Sequence, residues 1–237
     1  LDRIIQLGEK HSFIPEERAN PEEIEKSIGE YTTIYISLIT SYTYDWYIER
    51  ERHMFAQETY ILKPNQFIDQ EEMCKENKTL IDCFDLVFVP IGDSEEMNKY
   101  FSCKRSRRYV DTAIQLTFNE DTLLHKHVFD TDLWGDLLSL VGRFIKFNFA
   151  NVQFTSTQSY FSLEDLPNNT IQYSVKAADS IFDFEIKTIL PKKEFVEFIL
   201  VETIKFSELM IKYGFNKKYY EDRIKRATQW LCCVDFL

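Results

Sequence analysis

Two short runs near the C-terminal end of the chain constrain the fold more than any other feature. Ile171, Tyr173 and Val175 alternate with Gln172, Ser174 and Lys176. After Ala177-Ala178-Asp179-Ser180, Phe182, Phe184 and Ile186 alternate with Asp183, Glu185 and Lys187. A period of two is that of a strand with one buried and one wet face, and two such runs joined by a short polar link make an antiparallel hairpin. The apolar face, with Tyr173, Val175, Phe182, Phe184 and Ile186, then needs a cover. Helix signals follow directly. Pro191 opens a helix with Phe195, Phe198, Ile199, Glu202 and Phe206 on successive turns, and Gly214 ends it. A last helix runs from Lys217 to about Cys232, with Tyr220, Ile224, Ala227 and Leu231 on one stripe.

Upstream, Tyr109 to Phe118 predicts a strand, and Asp130-Thr131-Asp132 offers a cap to a helix carrying Leu133, Leu137, Leu140, Val141 and Phe144. Val152 to Phe161 reads as one strand, and Leu80 to Val89 as a buried strand ending at Pro90. Asn20-Pro21-Glu22-Glu23 starts a helix to about Gly29. Tyr31 to Ile48 is β-branched and aromatic and reads as strand. Asp69 to Lys78 is polar, helical or loop. The basic run Lys104-Arg105-Ser106-Arg107-Arg108 marks the seam between an N-terminal α/β region, 1–105, and an α+β region, 106–237, although one continuous domain also fits. The expected class is α+β: an antiparallel sheet with helices packed on one face and C-terminal helices.

Composition closes several routes. Only 6 glycines occur in 237 residues and none are clustered, so the glycine-rich loops that cradle phosphate are missing. The net charge of −11 argues against nucleic acid, whose phosphates call for an excess of Lys and Arg. Cys74, Cys83, Cys103, Cys232 and Cys233 are odd in number and form no CxxC, which points to reduced thiols and a cytoplasmic location. Leu1 to Lys10 lacks an apolar core of secretory length, and the least polar stretch, Ile34 to Ile48, contains Asp45 and many hydroxyls, so no membrane span is expected.

Few residues suggest chemistry. His125-Lys126-His127 lies near Asp121, Asp130, Asp132 and Asp136, but reads as a solvated loop leading into a helix cap rather than as metal ligands. Asp183, Glu185 and Lys187 share a strand face in the manner of Mg²⁺-dependent nucleases, with Glu164 or Asp165 as a further acid. Pairing of Lys176 with Asp183 or Glu185 across the hairpin explains the same charges structurally. No metal and no cofactor are expected, and a non-catalytic role is favoured. Acidic clusters stand out instead: Asp69, Glu71 and Glu72; Asp93, Glu95 and Glu96; Glu120 and Asp121. Tyr44, Trp46 and Trp134 are the aromatic residues suited to anchor a partner.

The order strand Val110–Phe118, helix at Leu133-Trp134-Gly135-Asp136-Leu137-Leu138, hairpin Ile171–Leu190 and helix opened by Leu190-Pro191-Lys192-Lys193-Glu194-Phe195 resembles the immunity proteins of bacterial polymorphic toxin systems. The resemblance covers about the last 130 residues. It implies a protein that neutralises a toxin by binding it and that has no shared catalytic residues. The expectation is a cytoplasmic protein-binding inhibitor whose acidic surface takes a basic protein partner. The alternatives are a metal-dependent nuclease or hydrolase using Asp183, Glu185 and Lys187, and a non-catalytic subunit of a larger complex. The oligomeric state stays open.

Overall fold

A computed structural model describes residues 55–64, 80–101, 110–155, 159–178 and 183–237, with backbone alone at 80–83, 177–178, 183–184 and 236. The chain divides between His53 and Met54, and every described residue belongs to the part that follows. The expected helix at Asn20 to Gly29, the strand at Tyr31 to Ile48, the segment Asp69 to Lys78 and the basic run Lys104 to Arg108 lie outside the described residues.

The protein has an α+β fold. Strand β1 (Phe55–Leu62) is followed by helix α1 (Leu80–Val87), strand β2 (Phe88–Pro90), helix α2 (Ser94–Phe101) and strands β3 (Asp111–Phe118), β4 (Asp121–Leu124) and β5 (Phe129–Thr131). Helix α3 (Leu133–Phe147) leads into β6 (Phe149–Gln153), β7 (Tyr160–Leu166), β8 (Thr170–Ala178) and β9 (Asp183–Pro191). Helices α4 (Lys192–Lys212) and α5 (Lys217–Leu231) and a 3₁₀ turn, Val234–Phe236, complete the chain.

Two antiparallel sheets result. One has the order β2-β1-β3-β4, with β5 also on β3; the other is β6-β7-β8-β9. Strands from both sides of the 104–108 run share the first sheet.

The hairpin forms as its alternation demands. Val175 pairs with Ile186 and Ile171 with Leu190; Ile171, Tyr173, Val175 and Leu190 are fully buried, while Glu185 and Lys187 are exposed. Phe182 lies outside the described residues, as does the side chain of Phe184. Helix α4 supplies the cover: Phe195 packs on Tyr173 at 5.5 Å and on Phe55 of β1 at 5.8 Å, so this one helix serves both sheets. Helix α3 joins them too. Trp134 donates its indole N–H to Thr59 of β1 at 3.1 Å, and Val141 and Phe144 fill the same core. Gly214, at φ +81°, lets Gly214 and Phe215 donate back to Ile211 and Met210, closing α4 where a side chain would be strained.

Three readings need correction. Leu80 to Val89 is not a strand but α1 followed by the short β2. Phe84 is buried while Asp85 and Leu86 are both exposed, a run that a period of two cannot produce. The spacing Leu80, Phe84, Val87, Phe88 fits a helical face, and Phe84 stacks on Phe88 at 4.5 Å. The Lys63 amine caps α1 by donating to the Leu86 carbonyl at 2.7 Å. Val152 to Phe161 is not one strand but two, folded back where Phe154 N–H donates to the Ser159 carbonyl. His127 is not solvated: it is buried, with its ring 5.4 Å from Phe84. Burial, aided by His125 and Lys126, lowers its pKa to about 4, so it is neutral at pH 7.

Candidate functional site

The strongest concentration of charge in the core sits where α3 begins. Asp132 occupies the N-cap position, as its place before Leu133 foretells, but its side chain makes no capping hydrogen bond. Its backbone is left-handed, φ 68°, a conformation disfavoured for a residue with a side chain and tolerated best by Asn and Asp. The carboxylate turns away from its own helix toward α5. There Arg223, fully buried, donates Nη2 to both oxygens at 2.6 and 2.5 Å. The Tyr219 hydroxyl donates to Asp132 at 2.5 Å and accepts from Arg223 at 2.6 Å.

Three aromatic rings surround the guanidinium: Tyr219 at 4.9 Å, Tyr220 at 5.2 Å and Phe206 at 6.0 Å from Cζ. Among the described residues, Arg223 Nε and Nη1 find no hydrogen-bond partner, and the ring faces, Asp132 and the Tyr219 hydroxyl are what receive this charge. The first turn of α3 comes this close because residue 135 is glycine: a Cβ there would overlap the Asp132 carboxylate.

One turn further on, the Asp136 carboxylate accepts from the Thr155 N–H at 3.2 Å and hydroxyl at 3.1 Å, tying α3 to the end of β6. Burial raises the Asp136 pKa to about 7; the Thr155 donors oppose the rise, and Asp130 and Asp132 add to it. Among the described residues, no group of three or more His, Cys, Asp or Glu is placed to hold a metal ion. The arrangement closes on itself, and its chemistry is that of a buried strut.

The residues singled out from sequence fall elsewhere. Asp93 caps α2 by accepting from the N–H groups of Glu95 and Glu96, and Glu96 pairs with Lys99 at 2.8 Å. Glu120 and Asp121 are exposed at the β3–β4 turn. β2 and β3 both run antiparallel to β1, so they run the same way, but β2 ends opposite Tyr60 and β3 opposite Phe55, so the two acidic groups leave the sheet about 17 Å apart along β1. Trp134 is a correction: it is fully buried and bonded to Thr59, so it offers a partner no surface. Asp69, Glu71, Glu72, Tyr44 and Trp46 lie outside the described residues.

On β9, Glu185 stands opposite Lys176 and Lys187 opposite Ser174 on the open face of the sheet, with the Asp183 backbone opposite Ala178. Glu164 shares that face but lies two strands across and four residues along from Glu185, about 16 Å by strand geometry. Asp165 pairs with Lys192 at 2.8 Å. The structure therefore brings neither further acid to the Glu185–Lys187 pair.

Arg223 and Tyr219 escape the sequence reading. Arg223 lies three residues after Tyr220 and four before Ala227, on the buried stripe of α5, and a cation at that spacing is the one available signal.

Comparison with protein-family models, with curated proteins and with solved structures found no match to this chain.

Proposed function

We propose that this chain is a protein-binding inhibitor of the immunity kind, acting in the reducing cytoplasm on a basic protein partner. The observation that carries the reading is that β2 and β3, which run the same way, each lead directly into an acidic group: Asp93, Glu95 and Glu96 after β2, and Glu120 and Asp121 after β3. Exposed Glu58 on β1 lies between them. On a chain of net charge −11, these acidic groups add to a field that speeds encounter with a cationic surface. The adjacent, exposed and unpaired Cys232 and Cys233 support a reducing location. No described helix is long and apolar enough to cross a membrane.

The test uses the full chain, immobilised, with the product of the neighbouring gene and with proteins from its own source cell. The expected result is a basic partner whose association slows as salt rises, because screening shortens the Debye length to well below about 10 Å. Reversing Glu95, Glu120 and Asp121 to Lys slows association and changes dissociation less. An acidic partner, or association indifferent to salt and to the reversals, overturns the reading.

A further inference from the structure

The four-stranded sheet carries α3 and α4 on one face, and no described helix or strand covers the other. On that open face the register sets out three rows across the four strands. The first is Phe149, Glu164, Gln172 and Ile189. The second is Asn151, Ser162, Ser174 and Lys187. The third is Gln153, Tyr160, Lys176 and Glu185. Phe149 is 53% exposed, Ile189 62% and Tyr160 40%. The charged residues of the patch are Glu164, Glu185, Lys176 and Lys187, which cancel, on a chain whose net charge is −11. Two copies that repel each other elsewhere meet no net repulsion here.

We infer that this face binds a second copy of the chain, sheet against sheet, about a two-fold axis that runs along the strands between β7 and β8. The order of residues in the rows selects this occupant and this axis. A two-fold interface places a patch against itself. With the axis along the strands, β6 of one copy lies over β9 of the other, and each row lies over its own counterpart. Phe149 then covers Ile189 of the second copy at both ends of the first row. Tyr160 meets Lys176, a cation–π pair, and Gln153 meets Glu185. Ser162 meets Ser174, two small side chains that let the faces approach to the usual sheet spacing of about 10 Å. No like charges oppose one another.

The alternative in-plane axis, across the strands, exchanges the first and third rows. It sets Lys187 against Lys187 and leaves Phe149 and Ile189 over Gln153 and Glu185, so charge and apolar matching both reject it.

The patch spans three strand spacings by four residues, about 14 Å each way between its outermost positions. That is less than the roughly 800 Å² per partner of a standard interface, so the dimer is weak, with a dissociation constant on the order of 100 µM. This inference stands apart from the partner reading, because it concerns a different sheet and its test contains no partner.

Sedimentation equilibrium of the full chain from micromolar to millimolar concentration is expected to show the mass rising from 28.3 kDa toward twice that value. Phe149→Lys and Ile189→Asp are each at an exposed position and keep the fold, which circular dichroism confirms. Each alone stays monomeric. An equimolar mixture of the two variants associates again, because one end of the mixed pair keeps Phe149 on Ile189 and the other sets the new Lys against the new Asp. A wild-type chain that remains at 28.3 kDa throughout, as it would with this face covered by the chain's own residues, overturns the inference. So does wild-type association that either variant leaves intact, or a mixture that stays monomeric.

Discussion

Arg223 gives a single nitrogen, Nη2, to both oxygens of Asp132, across 91 residues of chain, and so joins the start of α3 to the middle of α5. The two partners differ in access to water: the Arg223 side chain is fully buried, whereas that of Asp132 is 13% exposed.

That asymmetry predicts which deletion is worse. Asp132→Ala strands a cation with no water and no counter-charge and should cost about 3–5 kcal/mol. Arg223→Met removes the buried charge, leaves a carboxylate that water can reach, and should cost less. Urea unfolding of both variants gives the order. A larger loss for Arg223→Met would show that ring packing around the guanidinium, rather than charge neutralisation, holds this corner together.

Asp136 makes stability depend on pH in a direction opposite to most carboxylates. Its folded pKa, about 7, lies above the ordinary 3.8, so between those values the folded state holds a proton that the unfolded chain has released. Stability from this residue is therefore greatest below about pH 4, falls as pH rises, and levels off above about 7. Asp136→Asn should flatten that slope while keeping an acceptor for Thr155. Thermal midpoints of the two proteins, compared across this range, should diverge as pH rises, with the Asn variant the more stable above neutrality.

Gly142 inverts the usual rule for helices. Glycine to alanine within a helix generally gains about 1 kcal/mol. Here the added Cβ would overlap the indole of Trp230, so either the Trp230 ring must leave its place or α5 must move away from α3. The expected net loss is about 1–3 kcal/mol. In a Trp230→Ala background the same substitution should be neutral or stabilising. A loss of equal size in both backgrounds would remove the steric explanation.

Thr59→Val keeps the shape of the side chain and deletes the hydroxyl that takes the Trp134 N–H. Leaving that donor buried and unpaired should cost about 1–3 kcal/mol. Thr59→Ser retains the acceptor and should recover most of the loss, as chemical denaturation can measure.

The elements legible in the sequence are those whose apolar period is unbroken. The β8–β9 hairpin, α3, α4 and α5 all announce themselves in this way, and Pro191 and Gly214 bound α4 where the sequence places its start and stop. α1 was hidden because Leu80 to Val89 holds only two charged residues, Asp82 and Asp85, among eight apolar ones, and so few polar positions mark the period weakly. Leu86, exposed in the structure, reads in sequence like the buried Phe84 and Phe88.

The acidic groups at Asp93 and Glu120 reached the surface because charge does so locally. Trp134 went the other way because the apolar stripe of its helix outweighs its value as an anchor. The Asp132–Arg223 link could not be read at all. A pair 91 residues apart leaves no local trace, and an arginine in a polar helix resembles every other until the fold surrounds it.

The hydrogen bond from Gln57 on β1 to Glu202 on α4 spans 145 residues, and that from Tyr213 to the Ile91 carbonyl spans 122. A ribosome making this chain releases β1 long before its partners on α4 exist. Closing contacts so distant in sequence carries a large entropic toll before any reward arrives, so folding should be slow for a protein of this size. Until α4 emerges, Phe55 and Gln57 of β1 wait without their partners Phe195, Phe198 and Glu202, and the nascent chain passes through a period in which chaperones or neighbouring chains compete for them.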